Sequence, residues 1–268
     1  FNHSVLLNVP KGLNKVYLEE AVKEIVKHHD ALRLEFKKEG KDWKQLNSGF
    51  KDSNTFSYED LSNVSADSLS ETIEKNISEL HKGFNLSESP LIKVRLFKTP
   101  AEKEDKLLII VHHLCIDGIS WRILFEDLYT AYSQLSKGEK IKLSQKTSSF
   151  KDWSNKLIEL SDSKILKDET EYWLSLAHFK ISEISKDNFT GTNSAESAET
   201  ISAELDSNYT QLLLKEVPKA YNTQINDILL TALVLSNFKW NGSQNIFINL
   251  EGHGREDIAD SADVSRTI

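Results

Sequence analysis

The chain has 268 residues, 39% of them hydrophobic and 28% charged, with a formal net charge of −8. That length allows one large domain or two modest ones with real cores, and the acidic balance argues against nucleic acid as the main partner. The longest apolar runs, such as "LLIIV" at 107–111, are far short of a membrane span.

The opening "FNHSVLLNVPKG" lacks the basic start and apolar core of a signal peptide. Its alternating "HSVLLNV" predicts a strand. The chain contains no methionine, and it ends on the apolar "DVSRTI". It therefore reads as a piece of something longer. In "LNKVYLEEAVKEIVKHHDAL", Leu18, Ala21, Val22, Ile25 and Val26 fall on one helical face. "LRLEF" and "DWKQLN" predict strands, with "KEGKD" as the turn between them. Residues 65–82 predict a second amphipathic helix, with Ile73, Ile77 and Leu80 in register. "PLIKVRLF" and "DKLLIIVHH" predict a strand pair. A third helix is expected from about Ser120, with Trp121, Leu124, Phe125, Leu128 and Tyr132 on one face. Further helices are expected over 150–160 and 168–177.

Residues 184–200, "ISKDNFTGTNSAESAET", lose their large apolar groups and predict a linker. It separates an N-terminal lobe over 1–183 from a second unit over 201–268. That unit should hold strand "TISAEL", a helix over 207–217, helix "INDILLTALVLSNF" and strand "NIFINLE". Strands and helices without strict β-α-β alternation predict an α+β fold.

Two stretches carry the chemistry. "VHHLCIDGISW", Val111 to Trp121, ends a strand on His112 and His113. Neighbouring strand residues face opposite ways, so one histidine points toward a cleft and the other into the structure. No HExxH or His-x-His spacing supports a metal site. Asp117 either caps the following helix or pairs with a buried arginine, for which Arg33 and Arg255 are the candidates. Gly118 is expected to let the backbone turn tightly. Cys115, the only cysteine, excludes an internal disulfide framework and fits a reducing cytoplasm. Nothing near it lowers a thiol pKa, so it reads as a packed thiol rather than a nucleophile. In "NLEGHGRE", Glu251 ends a strand, Gly252 and Gly254 flank His253, and Arg255 follows. A carboxylate beside glycines that permit close approach suits a general base.

"HHLCIDGISWRILFEDL" resembles the HHxxxDG motif of the condensation-domain superfamily of nonribosomal peptide synthetases. "EGHGRE" followed by "DVSRT" resembles the epimerization domains of that superfamily, as do "FNHSVLL", "HHDALRLEF" and "YNTQINDILLTAL". The resemblance spans essentially the whole chain. It implies two chloramphenicol-acetyltransferase-like lobes in a V, with the active site between them and the second lobe incomplete here. It implies inversion, L to D, of the α-carbon of an aminoacyl or peptidyl thioester. That group would hang on the phosphopantetheine arm of an adjacent carrier domain in the same polypeptide. The motifs carry the catalytic histidine onto His113 and the catalytic glutamate onto Glu251. His112 and Asp117 fall on structural positions, and Gly118, Gly252, Gly254 and Arg255 support the site. No metal or intrinsic organic cofactor is implied. Two alternatives are a condensation or other acyltransferase domain, and a noncatalytic docking module. The selective "EGHGRE" argues against the first, and intact His113, Asp117, Gly118 and Glu251 argue against the second.

Overall fold

The computed structural model describes residues 1–52, 54–178, 184, 186–192, 194–256 and 262–268. Residue 183, where the expected N-terminal lobe ends, and positions 185 and 193 of the expected linker lie outside the described residues. The chain divides into two compact units, one of Phe1–Ser163 with Gly252–Ile268, the other of Lys164–Glu251.

The first unit is built on a four-stranded sheet in the order β1-β6-β5-β4. Its strands are β1 (Asn2–Val9), β4 (Phe56–Asp60), β5 (Ile92–Lys98) and β6 (Asp105–His112). β1 and β5 flank β6 antiparallel, and β4 pairs parallel with β5. β2 (Leu34–Glu39) and β3 (Asp42–Asn47) form a separate hairpin, turned at Gly40 with φ +65°. Such left-handed backbone favours glycine.

Helices cover both faces of the sheet, which is why β6 reads as an unbroken apolar run rather than an alternation. Leu107, Ile109 and Val111 point to one face and pack with α1 (Lys15–His28) and α3 (Ser120–Ser136). Leu108 and Ile110 point to the other and pack with Leu69 and Ile73 of α2 (Ala66–Lys82). All five residues predicted to form the α1 face are buried. Asn14 caps that helix, its side chain accepting from the amides of Val16 and Tyr17. α1 ends at His28, just past the last residue of its apolar face, and a 3-10 turn over Asp30–Arg33 follows. α4 (Phe150–Ser161) starts from a reciprocal Ser149–Asp152 capping box.

The second unit contains α5 (Lys164–Leu176), α6 (Ser207–Lys215), the short α7 (Val217–Tyr221) and α8 (Ile225–Asn241). The strands expected at "TISAEL" and "NIFINLE" are absent: neither segment is regular structure. A strand is held by ladder hydrogen bonds to a neighbour, and no sheet includes either segment among the described residues. β4, by contrast, is an unexpected strand. Its "FSYED" has a weak pattern of its own, and it forms because α2 returns the chain beside it as β5.

Candidate active site

β6 parity decides what the paired histidines do. His112 continues the side of Leu108 and Ile110, and its ring lies edge-on to Phe84 at 6.4 Å between centroids. Its Nδ1 accepts from the Leu114 amide at 3.2 Å, so that nitrogen carries no proton. Burial pushes the His112 imidazole below its usual pKa. His112 is a neutral brace.

His113 points the other way. Its amide donates to the Phe1 carbonyl at 3.0 Å, and its ring Nδ1 lies 3.0 Å from the Ile116 carbonyl. A carbonyl oxygen only accepts, so Nδ1 carries the hydrogen. In the neutral ring Nε2 then keeps its lone pair. His113 lines a cavity of about 430 Å³ with Phe150, Trp153 and Leu157 of α4, and with Val264 and Ile268. Cys115 also lines it. Burial pushes its thiol up to about 12, which leaves it an inert packing group.

Asp117 organises the turn before α3. Its Oδ1 accepts from the Ser120 amide at 2.8 Å and the Ser120 hydroxyl at 2.7 Å. The Arg255 guanidinium closes on both carboxylate oxygens, at 2.8 and 3.2 Å, a bidentate pairing. Arg33, the other candidate, is committed to Asp30 and to the carbonyls of Val26, Lys27 and His29. Arg255 also donates to the carbonyls of His253 and Thr267, at 3.1 and 2.8 Å. It thereby ties the HHxxxDG turn to the EGHGRE loop and to the last described segment. Gly254 adopts φ +68°, where an L side chain would be strained. Gly118 departs from expectation. Its backbone is not left-handed, and an added Cβ would meet nothing within 4 Å, so the turn itself does not require glycine there. An added Cβ at Gly252 would come 2.9 Å from Glu256 Oε1. Glu251 is exposed, outside regular secondary structure, and is the last residue of the second unit.

A second polar cluster had no reading in the sequence. Buried His29 and Asp127 meet at 2.9 Å, and Arg266 reaches the other Asp127 oxygen at 2.5 Å and Glu126 at 3.0 Å. Among the described residues, His28, His29 and Asp127 hold their donor atoms within 4.8 Å of one another. Both Asp127 oxygens already serve His29 and Arg266, so the cluster fastens α1, α3 and residues 262–268 together. Those last residues, with Arg255, shape one wall of the His113 cavity. The available signal was "KHHDAL" and "SRTI", in which a histidine and an arginine stand beside apolar positions.

Partial burial works against the Asp117 carboxylate, but Arg255 and the Ser120 donors outweigh it and hold its pKa below the usual 3.8. A depressed carboxylate contributes stability above its unfolded pKa and loses it as pH falls through the folded value. The melting temperature of an Asp117→Asn variant should therefore lie below wild type at pH 7. The gap should close as pH drops below about 4. A gap independent of pH between 3 and 7 would contradict a charge-based role.

Residues 1–268 match the family model described as Condensation domain. The chain is 39% identical over its full length to bacitracin synthase 3 of Bacillus licheniformis, covering 4% of that protein. It is 40% identical over its full length to gramicidin S synthase 1 of Brevibacillus brevis, covering 24%. Among solved structures it is similar to the epimerization domain from the third module of tyrocidine synthetase B. The TM-score is 0.91 at 39% identity, over 100% of this chain and 61% of that one. The starter condensation domain of rhizomide synthetase shares the fold at a TM-score of 0.67 and 17% identity, over 92% of this chain and 54% of that one. The chloramphenicol-acetyltransferase-like condensation fold expected from the motifs is thus the fold observed. Among the described residues, no helix is long and apolar enough to cross a membrane.

Proposed function

This chain belongs to the condensation-domain family, and from that premise we propose that it epimerizes the α-carbon of an aminoacyl or peptidyl thioester. The substrate hangs on the phosphopantetheine arm of a carrier domain in the same polypeptide, in keeping with relatives far longer than this chain. The observation that carries the reading is the likeness over the whole chain to an epimerization domain, and this chain's "EGHGRE" points the same way.

A thioester acidifies its α-proton relative to an amide, but the proton remains a weak acid, so the base must be held ready and the enolate stabilised. The Nε2 lone pair of His113 takes the proton from one face of the α-carbon. Glu251 serves the other face of the α-carbon, and in the reverse direction the two groups exchange roles. His112, Asp117 and Arg255 hold the turn that presents His113. Phe150, Trp153 and Leu157 give the cavity an apolar wall against which the acyl group packs.

The test loads the full-length protein's carrier with an L-aminoacyl group, supplies no acceptor amine, and resolves the released amino acid by chiral chromatography. The L and D forms should approach the same mixture from either starting enantiomer. Retained configuration, with amide formed only when an amine is added, would assign condensation instead.

A further inference from the structure

The His3 and His113 rings lie 3.9 Å apart between centroids, tilted by 46°. His3 comes from β1, which pairs antiparallel with β6 and sets His3 opposite Val111. His113 lies two residues beyond Val111, at the diagonal position on the same side, which aromatic side chains can span. No hydrogen bond holds the His3 ring among the described residues, and the ring is only half-buried.

Fixing a catalytic imidazole takes two constraints. The covalent link at Cγ and the bond from Nδ1 to the Ile116 carbonyl hold one edge of the ring and leave only a rocking of the Nε2 edge. A ring in close, tilted contact with it, as His3 is, limits that rocking. We propose that His3 is a positioning residue for His113: its ring sets the plane of the His113 imidazole and so the direction in which Nε2 presents its lone pair. His3 does not line the cavity, so it acts through His113 rather than on substrate. The role rests on the epimerization reading above. It requires the flatness of the His3 side chain rather than its proton.

The test compares His3→Ala and His3→Phe in the full-length protein, measuring the single-turnover rate of inversion of the carrier-bound aminoacyl group alongside the melting temperature. A misaimed reacting group typically loses on the order of 10- to 100-fold in rate. His3→Ala should show that loss in the inversion rate with the melting temperature nearly unchanged, and His3→Phe should recover most of it. In a His113→Ala background, His3→Ala should cause no further loss, because the group it aims is gone. Wild-type rates in His3→Ala would overturn the positioning role while leaving the epimerase reading intact. An additional loss in the His113→Ala background would also overturn it. If His3→Ala proves too unstable to assay, His3→Phe decides the matter: an inversion rate near wild type supports positioning by a flat ring, and a large loss refutes it. Absence of inversion by the wild-type protein itself would count against the parent reading.

Discussion

Replacing His113 with alanine should slow α-proton exchange on a carrier-bound aminoacyl thioester by about 10²–10⁴-fold, the usual cost of one general acid–base group. The melting temperature should hardly move. The ring is exposed and makes one side-chain hydrogen bond, to the Ile116 carbonyl. Glu251→Gln should cost a comparable factor, since the amide keeps the shape and cannot act as an acid–base group. The two losses should not multiply, because both groups serve one step. A stereochemical signature accompanies the rates. Each variant should remove the proton of one enantiomer faster than that of the other, because each loses the group serving one face. Equal residual rates for both enantiomers in both variants would remove the two-base assignment. The measurement is single-turnover exchange with each enantiomer loaded separately.

Arg255→Ala should produce the largest loss of stability among the site variants. The Arg255 side chain is 12% exposed and that of its partner Asp117 is 48% exposed, so the arginine is the buried half of the pair. Its removal abandons two bonds to Asp117 and one each to the Ser120 hydroxyl, the His253 carbonyl and the Thr267 carbonyl. Hydrogen bonds to charged groups contribute about 1.5–3 kcal/mol each at most and are not additive, and solvent at Asp117 weakens its share. A total of about 2–4 kcal/mol is expected, or roughly 4–12 °C in melting temperature for a domain of this size. Arg255→Lys should not rescue it, because an ammonium cannot grip both carboxylate oxygens in plane. Asp117→Ala should also destabilise, by stranding a buried guanidinium. Combining Asp117→Ala with Arg255→Ala should cost less than the sum of the singles. Additive losses in that double-mutant cycle, read by denaturant titration, would mean that the pair does not act as a unit.

Sequence pattern made the first unit readable because its elements have strong local periods. The α1 face, the hairpin of β2 and β3, the boundaries of α2 and the start of α3 all follow from local sequence pattern. The parity argument also separated His112 from His113, since alternation along a strand is a local property. The misses are non-local. β4 exists because β5 lies beside it, and a five-residue edge strand carries too little pattern to announce itself. "TISAEL" and "NIFINLE" have good strand composition, yet composition supplies no hydrogen-bonding neighbour. The Arg255 pairing bridges 138 positions, and the His29–Asp127–Arg266 cluster bridges 98 and 139. No local window contains either. His3 lies in a legible strand, and only the β1–β6 register shows that its ring meets His113. Gly118 shows the reverse error: a glycine beside a turn invited a backbone explanation that its conformation does not need.

The most direct measurement is solvent deuterium wash-in. The full-length protein is loaded with an L-aminoacyl thioester on its carrier in D₂O, with no acceptor amine present, and the released amino acid is analysed by mass and by chirality. The account predicts one deuterium at the α-carbon, appearing with the D enantiomer, and its loss in His113→Ala. Amide formation on adding an amine, with no deuterium at the α-carbon at any time, would contradict it.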